Sequence, residues 1–277
     1  MPSELIDTID NARYVLELAL PAYQQGTLVG VEQLHGIATM HRSRGVAQLL
    51  LRGVPDPLFI GQMQSASAFA FGLPQLPEDD KATAHAAPWW DAIGATYWDA
   101  AHQIAAASRM THNPKREHED DFLCVAFLMH RYFLSPGPDA TAQERAAHDD
   151  AQLQRLTRWE QVLEGGIDPR LSLCHALLEH DAEDFAEAIL ATADARAEDL
   201  SQRGRKGRLS DEELAWLRPI WPQGLALLRL AERDGLSTEG LVVPGVPPVI
   251  QVDNPYTYHP DAWRTIDFQP QRSAWRR

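Results

Sequence analysis

Glu32-Gln33-Leu34-His35 is the first pattern in this chain with a spacing that chemistry uses. An E-x-x-H element puts a carboxylate and an imidazole on one helical face, and helical di-iron sites combine two such elements with two further carboxylates. No second E-x-x-H occurs, so the pair reads as a partly exposed stretch of helix. His175, Glu179 and Glu183 are spaced four apart and on one helical face would suit a divalent metal, but Asp181 reads as the start of a new helix between them. His130 lies inside the most apolar stretch of the chain. A buried histidine can serve as a general base, but it is more often a neutral core residue bonded to a backbone carbonyl, and that reading is adopted. The basic run Arg203 to Arg208, R-G-R-K-G-R, could meet phosphate, but like charges in a glycine-rich loop are usually solvated. Trp89, Trp90 and Trp98 read as core. Nothing matches a nucleophile elbow, a phosphate loop, a dinucleotide fingerprint or a zinc-protease helix. These residues therefore assign no catalytic group, no metal ligand and no cofactor.

Two acidic groups remain, and their chemistry is recognition rather than catalysis. Glu78, Asp79 and Asp80 form one; Glu117, Glu119 and Asp120 form the other. Both lie in loops next to expected helix starts, where they would cap helices or steer a cationic partner. Asp120 is the expected cap of the helix that follows.

Charge and composition agree with a binding role. The chain has 277 residues, 44% of them hydrophobic, and a formal net charge of -14. Such acidity disfavours nucleic acid and anionic membrane and favours a basic partner. Cys124 and Cys174 lie in apolar helical patterns and are expected as reduced, buried thiols. Met1-Pro2-Ser3-Glu4 lacks the basic and apolar regions of a signal peptide, which sets cytoplasm as the expected compartment.

The elements that must position these groups are helical. Asp120 to Leu134 is apolar around almost the whole helical wheel, the pattern of a helix buried in a large core, and Ser135-Pro136-Gly137-Pro138 ends it. Before it, Leu5, Ile9, Ala12, Leu16 and Leu20 mark a first helix with Ser3 as N-cap and Pro21 as stop. A second helix runs from Val31 to Leu51, and Asp56-Pro57 opens a third that reaches Gly72. Leu73 to Ala87 is a loop. Pro88 starts a fourth helix whose stripe runs through Trp90, Ile93, Tyr97, Ala101 and Ile104. Arg109 to Glu119 is a polar connection into the central helix. After it, Thr141 to Glu144 and Ser210 to Glu213 match capping boxes, and Asp168-Pro169 repeats the helix-start signal. The helix from Thr141 runs through Leu163 to Gly165-Gly166, the next carries Leu171 to Leu178, and after a short acidic break Phe185, Ile189, Leu190 and Ala193 mark another to about Leu200, followed by a basic loop from Gln202 to Arg208.

From Val242 onward prolines forbid a regular helix, yet Tyr256, Tyr258, Trp263, Phe268 and Trp275 are too aromatic for a disordered tail. The expectation is an all-α protein, either a multi-helix bundle or a loosely solenoidal helical stack. Residues 1–241 would form a single helical domain, and 242–277 an extended Pro/aromatic-rich segment packed on it.

Three stretches resemble a known family: D-D-F-L-C-V-A-F-L-M-H-R-Y; L-S-L-C-H-A-L-L-E-H-D-A-E-D-F-A-E-A-I-L; and W-P-Q-G-L-A-L-L-R-L-A-E-R-D-G-L-S with V-P-G-V-P-P after it. Together they are similar to immunity family 49 of bacterial polymorphic-toxin systems, over roughly Asp120 to Pro248. The aromatic segment after Val252 and the N-terminal part depart from the pattern. The resemblance implies an all-helical cytoplasmic protein that binds and neutralises a cognate protein toxin, and it implies no catalytic residues. The acidic composition suits a basic toxin, such as a nuclease, with its active site occluded by carboxylates that stand in for phosphates. A helical metal-dependent enzyme and a helical-repeat adaptor are the competing readings.

Overall fold

A computed structural model describes residues 2–26 and 30–272 of the chain; Trp275 lies outside them. It is all-α, with no strand among the described residues and one isolated β-bridge between Tyr256 and Arg272. The helices are α1 (Pro2–Gln24), α2 (Val31–Arg52), α3 (Asp56–Gly72), α4 (Ala87–Gly94), α5 (Trp98–Ala107), α6 (Glu119–Phe133), α7 (Ala142–Leu163), α8 (Pro169–Glu179), α9 (Ala182–Arg205), α10 (Asp211–Leu217) and α11 (Pro222–Arg233). No helix among the described residues is long and apolar enough to cross a membrane.

The order of packing decides between bundle and solenoid. In a solenoid each repeat touches only its neighbours. Here α1 packs on α10 as well as α2, and α4 packs on α11 as well as α3 and α5. Asn11 of α1 donates to Glu212 of α10 across 201 residues of sequence. The helices therefore close on one another as a bundle.

The apolar core follows the sequence pattern. α6 buries Phe122 through Met129 without a gap, with Phe127 fully enclosed. α1 buries Leu5, Ala12, Leu16 and Leu20 along one stripe, which Thr8 and Tyr23 extend. Ser3 lies inside α1 rather than capping it, and Pro21 sits in its last turns. α1 continues for only three residues past Pro21, whose missing N–H and crowding of the preceding turn disfavour a longer extension. Gly36 and Gly45 lie within α2, which is continuous. Gly45 lets α3 approach: a Cβ there would lie 2.6 Å from the Pro57 carbonyl oxygen.

Three further boundaries differ from expectation. The stripe from Trp90 to Ile104 belongs to two helices, α4 and α5, separated where Thr96 takes a left-handed φ of 58°. Asn254 of the C-terminal segment donates to the Ala95 carbonyl at this corner (2.6 Å). Residues Gln202 to Arg205 continue α9 instead of forming a loop. Arg203 and Arg205 sit in the last turn of that helix, where cations complement the carbonyl end of the dipole, and they pair with Asp199 and Glu198. The Leu73–Ala87 connection contains three short 3-10 turns, at Leu73–Gln75, Glu78–Asp80 and Thr83–His85.

The capping boxes at Thr141 and Ser210 form with both reciprocal bonds, and Asp168 and Asp181 accept from the first amides of α8 and α9. The proline-rich segment lies against the helices. Trp263 is fully buried, edge-on to Tyr23 with centroids 4.8 Å apart and 4.9 Å from the Phe71 ring. Gln64 of α3 donates to the Thr265 carbonyl (2.6 Å), and Arg44 of α2 donates to the Ile266 carbonyl (2.6 Å) and pairs with Asp267 (2.8 Å).

Candidate functional site

The two acidic groups, separate in sequence, meet in the structure. Arg109 pairs with Asp79 (2.8 Å), Arg116 pairs with Asp80, and Asn113 donates to the Asp79 carbonyl (2.8 Å). Glu117 is buried and accepts from the Ala84 and Asn113 backbone amides at 2.7 and 3.2 Å. It holds the loop 78–85 against the connection 109–119 and presents no carboxylate outward. Glu78 bonds Lys81 (3.3 Å) and, with Asp79, faces solvent, their side chains 65% and 88% exposed. Glu119 receives a two-pronged bond from Arg158, at 2.7 and 2.9 Å, which lowers its pKa.

Asp120 is not a cap. His118 occupies the N-cap position with extended backbone and offers no side-chain bond. Asp120 and Asp121 reach instead to Arg170 of α8, at 3.1 and 2.5 Å, and Asp168 bonds the same guanidinium at 2.7 Å. Burial opposes the Arg170 charge, but its bonds to Asp168 and Asp121 outweigh that and raise its pKa. Three carboxylates thus share one cation, on the wall of a cleft of about 890 Å³.

Residues of α6, α8, α9, α10 and α11 supply most of its lining. Trp90, Trp216 and Trp221 give it aromatic surface. Arg196 stacks over Trp221, at 5.8 Å to the ring centroid, and donates to the Leu217 and Ile220 carbonyls. Burial lowers its pKa to about 10, with Asp199 pulling the other way. At the rim stands Ile167, 96% exposed, after a turn in which Glu164 and Gly165 both take left-handed backbone. Of these groups the sequence reading had only Asp120, and Asp168 merely as a helix start. The isolated isoleucine in G-G-I-D-P was its one visible trace; the Arg170 hub joins residues about fifty positions apart and left none.

The candidate catalytic patterns do not converge. Glu32 is exposed, while His35 turns inward against Phe69 and His85, and burial lowers its pKa to about 4. Asp181 does divide His175 and Glu179 from Glu183, and His175 pairs with Glu160 (3.5 Å). Among the described residues no three His, Cys, Asp or Glu side chains gather in a metal-binding group. His130 does not donate to a carbonyl. It accepts from the Gln152 amide (3.1 Å) and stacks on His148 at 4.3 Å, 9° from parallel. Burial, with help from Arg155 and His148, lowers its pKa to about 4. Trp89 is core, packed on Trp90 and Phe133, and Trp98 stacks on Phe133 with Arg233 over both rings.

The structure thus presents carboxylates in solvent at Glu78 and Asp79, and a mixed cleft with the exposed Ile167 in its lining. Comparison with known proteins agrees with the resemblance and widens it. The model of one family, described as Immunity protein 49, matches residues 58–256, well over half of the chain, and reaches back through α3, α4 and α5. Neither the curated proteins nor the solved structures contain a match. The chain belongs to the Immunity protein 49 family.

Proposed function

We propose that this protein is the immunity partner of an antibacterial toxin in a polymorphic-toxin system. It acts in the cytoplasm without catalysis, by binding the toxin and covering its active site. The family match over residues 58–256 carries this reading. Charge supports the nature of the partner. A net charge of -14 attracts a basic protein such as a nuclease, and exposed carboxylates at Glu78 and Asp79 accelerate encounter with it. Glu119 and Asp120 are already engaged with Arg158 and Arg170, which a stronger cationic partner would have to share. Residues 1–241 act as one helical unit, and 242–277 serve as a strap that keeps the bundle closed.

The test is growth rescue. Candidate toxin domains encoded by the genes that flank this one are each expressed with and without the full chain. Survival only when both are present supports the reading. Killing that the chain does not relieve overturns it.

A further inference from the structure

We propose that the cleft lined by α6, α8, α9, α10 and α11 is the toxin-docking surface. It takes a projecting segment of the toxin whose cationic side chain seats against Asp120, Asp121 and Asp168 and whose apolar body covers Ile167. This rests on the reading of the protein as a toxin-binding immunity protein and names the face that does the binding.

Charge selects the cation. Three carboxylates on one wall share the single guanidinium of Arg170, which leaves that wall with an excess of negative charge. Asp120 and Asp121 keep about a third or more of their side-chain surface in solvent, so an incoming ammonium or guanidinium reaches them without first breaking the core. Arg42, Arg196 and Arg203 also line the cleft, so the negative excess is local to the Arg170 cluster and the cation seats there. Arg196 already donates to two carbonyls and takes carbonyl oxygens from an inserted backbone in the same way.

Shape and apolar surface select a macromolecule. At about 890 Å³ the cleft is at the upper end of the ~300–1,000 Å³ that ligand sites occupy. A small ligand held inside it leaves Ile167 uncovered at the rim, 96% exposed. A protein segment that enters the cleft covers the rim as well. Binding energy concentrates at tryptophan and arginine side chains in enclosed positions, and Trp90, Trp216, Trp221 and Arg196 supply both residue types. Apart from Arg42, the lining lies within the span that matches the family.

The experiment measures binding of the full chain to the flanking-gene toxin domain whose killing it relieves, with Ile167→Asp, Ala195→Trp and Leu153→Asp as variants. Ile167 and Ala195 are exposed and line the cleft, so Ile167→Asp leaves the core untouched and Ala195→Trp fills the cleft. Leu153 is exposed on α7 outside it. The expected result is Kd raised about tenfold or more by Ile167→Asp and by Ala195→Trp, with thermal midpoints held and Leu153→Asp unchanged. Wild-type binding with both cleft variants within about twofold overturns the cleft assignment and leaves the immunity reading standing. A wild-type chain that binds no toxin overturns both.

Discussion

Gly45 of α2 and Gly61 of α3 pack backbone to backbone: a Cβ on Gly45 would lie 3.1 Å from the Gly61 Cα, and one on Gly61 would lie 2.7 Å from the His41 carbonyl oxygen. Alanine in place of either glycine improves helix propensity by roughly 1 kcal/mol. The clash is with backbone, which cannot swing away, and forcing the helices apart costs typically 1–3 kcal/mol or more. Gly61→Ala is therefore expected to lower the denaturant midpoint; a midpoint equal to or above wild type shows that α2 and α3 do not pack this closely.

The strap contributes stability through Trp263. Its indole is fully buried between Tyr23 and Phe71, and Gln64 and Arg44 bind the carbonyls that follow it. Trp263→Ala should cost on the order of 3–5 kcal/mol, the range for deleting a buried aromatic. Chemical denaturation measures this, and a loss below about 1 kcal/mol means that the segment is not seated on the bundle.

Phe127 offers the matching test for the central helix. It has no exposed surface in a helix buried on nearly every side. Phe127→Ala should destabilise by about 3–5 kcal/mol, and Phe127→Leu by clearly less because much of the volume is kept. Equal midpoints for wild type and Phe127→Ala would remove α6 from the core.

Acid should weaken the fold through its histidines. Burial depresses His41 to about 3, and His35 and His130 to about 4, from an ordinary value near 6.5. The unfolded chain then takes up protons that the native chain refuses. The stability these neutral imidazoles contribute is complete above about pH 6.5 and is lost progressively as pH falls toward 4, at up to ~1.4 kcal/mol per pH unit for each. Asp91, raised by burial against the pull of Arg42 and Ser65, works in the opposite direction. The thermal midpoint is expected to fall between pH 7 and pH 5, and His41→Asn should flatten that slope. A midpoint constant over this range contradicts the burial of these rings.

Much of the fold was legible because its signals are local. Capping boxes at Thr141 and Ser210, and the Asp-Pro start at Asp168, need only residues within one turn. The all-apolar wheel of α6 announced its burial. The misreadings came where tertiary contact overrode a local sign. Thr96 takes a left-handed corner with no glycine to mark it. Gly204 continues α9 because it packs beneath Leu214, where a Cβ would lie 2.9 Å from the leucine methyl. Asp120 looked like a cap, but its partner Arg170 lies on another helix. Glu117 looked like surface charge, but two backbone amides bury it. For that reason Glu117→Lys would damage the fold, while Glu78→Lys and Asp79→Lys, at exposed side chains whose loss breaks only the pairs with Lys81 and Arg109, test electrostatic steering once folding has been checked. Both are expected to slow toxin association and to reduce its sensitivity to salt; unchanged rates at low ionic strength would move the steering charge elsewhere.

The central claim is neutralisation by binding, and stoichiometry tests it most directly. Purified toxin domain is titrated with the full chain, and residual toxin activity is measured after a fixed incubation and again much later. The account predicts a linear fall to zero near one equivalent, the same at both times. Inactivation completed well below one equivalent and deepening with time would show turnover and contradict it, as would full toxin activity in the presence of excess protein.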